Sequence, residues 1–217
     1  MYSVDFKITG VMPLLMHSDD VEASDELDAW RKDAANKNRS KAGDDRSPAW
    51  TWTTYLYSDG ENVALPSANL MVALRQAGAQ KILKKQKTFK EITQSGLLIE
   101  NEFLQFFCRD KPVKNDWIHA LRDDDANFID HKKAVEENGF SLYVKRAKIG
   151  TSKHVRVRPR FDHWSAAGRM SVLMPEITFD ILTELFQLAG RVGLGDWRPG
   201  CKTPGPFGMF EAKIKKV

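Results

Sequence analysis

Thr178-Phe179-Asp180-Ile181-Leu182-Thr183-Glu184-Leu185-Phe186-Gln187-Leu188-Ala189-Gly190-Arg191-Val192 leads into Gly193-Leu194-Gly195-Asp196-Trp197-Arg198-Pro199-Gly200-Cys201-Lys202-Thr203-Pro204-Gly205-Pro206-Phe207-Gly208 and then Met209-Phe210-Glu211-Ala212-Lys213-Ile214-Lys215. Ile181, Leu182, Leu185, Leu188 and Ala189 recur at helical spacing, and Thr178 can accept a hydrogen bond from an unpaired first-turn amide. Phe210, Ala212 and Ile214 alternate with Glu211, Lys213 and Lys215, which is the period of a half-buried strand. Near the other end, Tyr2, Val4, Phe6 and Ile8 alternate with Ser3, Asp5, Lys7 and Thr9 until Gly10 interrupts. Pro66-Ser67 opens a second helix carrying Leu70, Met71, Leu74 and Ala77, with Gly78 as its expected end. Residues 97–107, 140–148, 153–161 and 169–174 are strand candidates, and residues 50–57 with Val63-Ala64-Leu65 suggest a hairpin. The predicted class is α+β: a ferredoxin-like (RRM-like) βαββαβ core with helices on one face and a C-terminal glycine-rich loop. It is expected as one domain over residues 1–217, with insertions at about 19–60 and 80–138.

A chain of 217 residues, 42% apolar and 29% charged, can bury a substantial core. No apolar run approaches the ~18 to 20 residues that span a bilayer, and Met1-Tyr2-Ser3-Val4-Asp5 starts no basic-then-apolar leader, so a cytoplasmic protein without membrane contact is expected. Cys108 and Cys201 have no metal-ligand spacing to another Cys or His, so no disulfide framework, metal or cofactor is indicated. The net charge of +4 is unevenly spread: residues 1–60 hold seven Lys/Arg against eleven Asp/Glu, and residues 80–160 hold eighteen against eleven. That asymmetry favours a polyanionic partner for the basic part.

The basic part is sharpest at His154-Val155-Arg156-Val157-Arg158-Pro159-Arg160. In an extended chain His154, Arg156, Arg158 and Arg160 share one face, with Val155 and Val157 on the other. With Lys145, Arg146, Lys148 and Lys153, residues 139–161 hold seven Lys/Arg and no acid. Cations about 6.6 to 7 Å apart repel unless anions lie between them, and nucleic-acid phosphates have that spacing. An edge strand guarded by charge and by Pro159 is the alternative. In the glycine-rich loop, Gly193 and Gly195 permit close approach of a ligand, Trp197 offers a stacking surface, and Arg198 and Lys202 supply charge. A helix cap explains one or two of its five glycines. Lys202-Thr203 after Gly195 and Gly200 is no P-loop, because Cys201 breaks the spacing and a helix precedes it. Lys81, Lys84, Lys85, Lys87 and Lys90 form an accessory candidate, with a solvated lysine-rich face as its alternative. His17, His119, His131 and His163 lack an apparent catalytic partner, and Asp123-Asp124-Asp125 fits a solvated turn better than a cation site.

The helix, glycine-rich loop and final strand, with the βαββαβ order, resemble the repeat-associated mysterious proteins (RAMPs), which include backbone and guide-processing subunits of CRISPR effector complexes. Pro13-Leu14-Leu15-Met16-His17 and Val192-Gly193-Leu194-Gly195-Asp196-Trp197-Arg198 are similar to segments of small proteins of phages and mobile elements. The resemblance covers about half the chain. It implies a modified RNA-recognition fold that grips single-stranded nucleic acid, RNA more readily than DNA, as a homo-oligomer or a subunit of a ribonucleoprotein complex. It assigns RNA contact to 193–198. The leading expectation is a non-catalytic binder in which Arg156, Arg158 and Arg160 neutralise phosphates and Trp197 stacks a base. The alternatives are a metal-independent endoribonuclease using His17 or His154, a single-stranded DNA-binding protein of a phage or mobile element, and a structural subunit whose basic strand meets the acidic stretch 19–33 of another copy.

Overall fold

The computed structural model describes residues 1–39, 41, 43–123, 127–150 and 152–217. In chain order the elements are β1 (Tyr2–Gly10), β2 (Leu14–Leu15), α1 (Val21–Lys32), β3 (Leu65–Pro66), α2 (Ser67–Gln80), β4 (Ile82–Lys84), β5 (Lys87–Thr88), α3 (Lys90–Gly96), β6 (Leu97–Ile99), β7 (Phe103–Cys108), α4 (Asp116–Asp123), α5 (Phe128–Glu137), β8 (Ser141–Ile149), β9 (Ser152–Phe161), β10 (Trp164–Val172), α6 (Phe179–Val192) and β11 (Phe210–Lys216). Short 3-10 helices occupy Ala34–Asn36 and Ala49–Tyr55. The fold is mixed α and β with antiparallel strand ladders. Among the described residues no helix is long and apolar enough to cross a membrane.

Two compact units account for the chain: Met1–Leu14, Ala64–Pro112 and Asp162–Val217 form the first, and Leu15–Val63 with Val113–Phe161 the second. The boundaries of these units do not coincide with those of the insertions expected at about 19–60 and 80–138. Residues 97–108 belong to the first unit because β6 and β7 both ladder onto β10. The basic strand belongs to the second, because β9 pairs with β8.

In the first unit β1 lies between β10 and β11, in register from Tyr2↔Val172 to Thr9↔Ser165 and from Val4↔Lys216 to Gly10↔Phe210. The sheet order is β11-β1-β10-β7-β3, with β6 on the same edge of β10 as β7. Val4, Phe6 and Ile8 are buried while Asp5, Lys7 and Thr9 are exposed, as the alternation predicts. α6 covers the buried face: Phe186 meets Phe6 with ring centroids 5.5 Å apart, and Leu182, Leu185, Ala189 and Val192 are buried beside it. Burying each large side chain there contributes about 1.5–3 kcal/mol. Thr178 accepts from the Ile181 amide at 3.3 Å, and Gly193 ends the helix at φ 77°. α2 packs on α6 but continues past Gly78 to Gln80. Gly78 instead lets α3 approach, since Thr93 and the Phe89 carbonyl lie against the space a Cβ would take. Ser67 caps nothing: its hydroxyl donates to the Asn101 carbonyl, and Pro66 stands at the cap.

The second unit is built on the β8–β9 ladder, registered from Ser141↔Arg160 to Ile149↔Ser152. Of the expected joint at Gly150-Thr151-Ser152, Thr151 lies outside the described residues. Trp52, Trp117, Phe140 and Phe161 gather beside the ladder, with Phe140 and Phe161 stacked at 4.7 Å, and Trp52 Nε1 donates to His131 Nδ1 at 3.0 Å. Residues 50–55, expected as a strand, form a 3-10 helix instead. Thr51, Thr53 and Thr54 each donate their hydroxyls to the carbonyl three residues back at 2.8 Å, a local bonding that competes with a ladder. Of the expected hairpin, a single Ser58↔Val63 bridge remains, closed by Asp59 accepting from the Glu61 and Asn62 amides.

A Cβ added at Gly190 would overlap the Phe210 carbonyl, where α6 crosses β11. Gly190→Ala should therefore cost about 1–3 kcal/mol, the range for overpacking a tight contact, read as a lower midpoint in urea unfolding with an unchanged slope.

Candidate nucleic-acid interface

The register places Arg160, Arg158, Arg156 and His154 opposite Ser141, Tyr143, Lys145 and Ala147, so the four basic residues share one face. That face is not left to solvent. Gly43, at φ 74°, accepts from the Val155 amide at 2.8 Å, and the Asp45 amide donates to the Val155 carbonyl at 3.0 Å, laying residues 43–45 along β9. Asp45 Oδ1 then accepts from Arg156 Nη1 at 3.0 Å, and Oδ2 from Arg158 Nη1 at 3.2 Å and from the Val157 amide at 3.1 Å. The Tyr55 hydroxyl reaches the same oxygen at 3.2 Å, and its ring lies 4.2 Å from the Arg158 guanidinium. The side chains of Asp45 and Arg158 are 2% and 6% exposed, and that of Arg156 28%.

Arg156 and Arg158, the residues expected to meet phosphates, here meet Asp45. An anion does separate the two guanidinium groups, and it is the protein's own carboxylate. Burial raises the Tyr55 hydroxyl pKa, and the Asp45 charge adds to it. Arg46 holds the turn that aims Asp45, donating through Nε at 2.9 Å and Nη2 at 2.7 Å to Asp44. Those bonds hold the Asp44 carboxyl below its ordinary range. His154 packs on Gly43, its Nδ1 buried without a hydrogen-bond partner among the described residues. Arg160 is half-buried at the Ser141 end of the ladder.

Toward the other end of the ladder the cations are solvent-exposed. Arg146, Lys148 and Lys153 share the opposite face, with Lys148 directly across from Lys153, and all three are exposed. None of them forms an ion pair with a described residue. Lys145, also exposed, lies across from Arg156.

The glycine-rich loop belongs to the first unit and folds on itself. The Leu194 amide donates to the Gly208 carbonyl at 3.0 Å, Gly200 to Val192 at 2.9 Å, Phe207 to Trp197 at 3.4 Å and Gly208 to Pro13 at 2.7 Å. Arg198 Nη1 donates to the Gly195 carbonyl at 3.0 Å, and Asp196 accepts from the Trp197 amide. A Cβ at Gly208, at φ 72°, would overlap the Leu194 carbonyl. Glycine here serves close packing of backbone on backbone. Gly195, Trp197 and Arg198 are half-buried, Gly193 is buried, and Lys202 alone of the five predicted loop residues is exposed. A groove of about 420 Å³ beside α6 and β11 is lined by Arg191 and Glu211 together, which leaves it no net charge for a phosphate.

The helix-free face of the first unit's sheet carries Ser3, Asp5, Lys7 and Thr9 on β1 and Ser165, Ala167, Arg169 and Ser171 on β10. β1 and β10 thus present no aromatic side chain on this face, where half-buried Phe107 of β7 lies across from Ser165. Arg169 donates to Asp5 at 2.7 Å, which lowers the Asp5 pKa, and Lys7 lies 3.9 Å from Asp110. Lys81 is paired with Glu184. His17 sits edge-on to Tyr55 at 5.0 Å. Asp124 and Asp125 of the acidic run lie outside the described residues, and no group of three potential metal ligands occurs among the described ones. No protein-family model matches the chain, and no curated protein is similar to it.

Asp45 is the residue that sequence reasoning missed. Its signal was the unexplained repulsion of the arginine ribbon, but Gly43-Asp44-Asp45 sits in a polar stretch with loop composition. Asp45→Ala leaves a buried guanidinium uncompensated and should cost about 3–5 kcal/mol in urea unfolding, with Arg156→Ala costing less because Arg156 is partly solvated. Asp44 contributes stability that is full above its ordinary carboxylate range and is lost as pH falls through its lowered folded value. In Asp44→Asn, the loss of stability between about pH 5 and pH 2 should be shallower in urea melts.

Proposed function

We propose that the protein is a non-catalytic single-stranded nucleic-acid-binding protein, preferring RNA, that holds the phosphate backbone at the β8–β9 hairpin. One observation supports this reading: Arg146, Lys148 and Lys153 stand exposed on one face without an ion pair to any described residue, two of them directly opposed across the ladder. Directly opposed like charges destabilise a ladder by up to about 1 kcal/mol, and a bound phosphate reverses the sign of that term.

The fold reading supports the same conclusion. The order β11-β1-β10-β7, with α2 and α6 as connecting helices, supports the expected ferredoxin-like βαββαβ core. The resemblance to RAMPs rests on this order and on the braced loop between α6 and β11. It carries the preference for RNA and the assembly into a homo-oligomer or ribonucleoprotein. Within this reading the loop acts as a scaffold that presents Lys202, with Trp197 and Arg198 at its half-buried margin.

The variant Arg146→Ala/Lys148→Ala/Lys153→Ala should bind a labelled ~40-nucleotide RNA about 100-fold more weakly at 0.1 M salt and flatten the slope of log affinity against log salt by about 2. Fluorescence anisotropy measures both quantities. An unchanged slope, or tighter binding to duplex than to single strands, rejects the reading.

A further inference from the structure

We infer that the β4–β5 hairpin of the first unit is a second contact for the nucleic-acid phosphate backbone. Residues 81–96 hold five lysines and one acid, Glu91. Lys81 is spent internally: it pairs with Glu184 and lies 5.9 Å from the centre of the Phe89 ring. Phe89 is buried, its amide donates to the Lys81 carbonyl at 3.0 Å, and its own carbonyl accepts from Thr93 at 2.7 Å. The base of the hairpin is thus rooted in the core of its unit.

The tip is different in kind. Lys84, Lys85 and Lys87 are exposed, Lys84 lies directly across from Lys87, and none of the three, nor exposed Lys90, forms an ion pair with a described residue. Lys85 sits at φ 53°, in the left-handed region where a hairpin turn favours Asn or Gly. A lysine there adds charge at a conformational cost. A rooted stem whose three tip cations pair with no described residue is a preorganised point of phosphate contact, since its backbone is already fixed before binding. An anionic membrane fits less well, because the tip Lys84-Lys85-Gln86-Lys87 brings no apolar side chain to insert, and exposed Ile82 lies at the rooted base of the hairpin, across from Thr88.

The inference rests on the nucleic-acid reading above, and the experiment separates the two. The variant Lys84→Gln/Lys85→Asn/Lys87→Gln removes the charge and places Asn where the positive φ favours it, so its melting temperature should be unchanged or higher. With a labelled ~40-nucleotide RNA, its salt slope should be flatter than wild type by about 2, and combining it with Arg146→Ala/Lys148→Ala/Lys153→Ala should flatten the slope by about 4. A normal slope in the β4–β5 variant, alongside a flattened one in the β8–β9 variant, overturns this inference and leaves the functional reading standing. Absence of wild-type RNA binding overturns both. Phosphatidylserine vesicles form the last arm: vesicle binding that the β4–β5 variant loses while its RNA slope stays normal assigns the hairpin to membranes and overturns the inference.

Discussion

The second unit turns on one buried carboxylate. Asp45 gathers Arg156, Arg158, the Val157 amide and the Tyr55 hydroxyl around two oxygens. A buried ion pair is weak evidence of net stabilisation, because desolvating the charges offsets most of their attraction. Its effect here is geometric. Only the segment at 43–45 can supply this anion while its backbone bonds Val155, so the chain before the 3-10 helix has one place to lie. The same contact buries Arg158 and holds Arg156, which stays partly exposed, against the protein's own carboxylate. Toward the far end of the ladder Arg146, Lys148 and Lys153 are exposed and pair with no carboxylate of the described residues.

The first unit shows the same internal use of residues that look like binding groups. The glycines of the loop between α6 and β11 let backbone touch backbone, and amides that could have cradled an anion donate instead to Val192, Trp197, Gly208 and Pro13. A glycine-rich loop binds phosphate when its amides point outward together. Here four of them point inward, so the loop's contribution to a ligand is its exposed rim.

Periodic features were legible from sequence. The alternation of β1 and β11, the apolar stripe of α6 and the Thr178 cap follow from patterns contained within one element, and the β8–β9 pair from two strands that neighbour each other in the chain. Features decided by a distant partner were not. Residues 50–55 have strand composition, yet threonine hydroxyls bond locally and Trp52 finds His131 far along the chain. Nothing local marks Asp45 as the counterion of a strand more than a hundred residues later. The division into two units depends on which strand partners β10 and which partners β9, and no periodicity encodes that choice. The alternation did place the four basic side chains of β9 on one face; what it could not supply was the neighbour that covers them.

Among the described residues, cations therefore divide by whether the fold provides an anion. Lys81, Arg156, Arg158 and Arg169 have one, from Glu184, Asp45 and Asp5. Lys84 with Lys87, and Lys148 with Lys153, have instead another lysine across the ladder. Salt acts on these opposed pairs in two directions. It screens the repulsion and so favours the free hairpins, while it competes with phosphates and so weakens a complex. A hairpin whose lysines served only solubility would show the first effect alone. Binding of a polyanion at the same lysines makes stability rise and affinity fall over one range of ionic strength, because the charge that strains the free protein is the charge that the ligand neutralises.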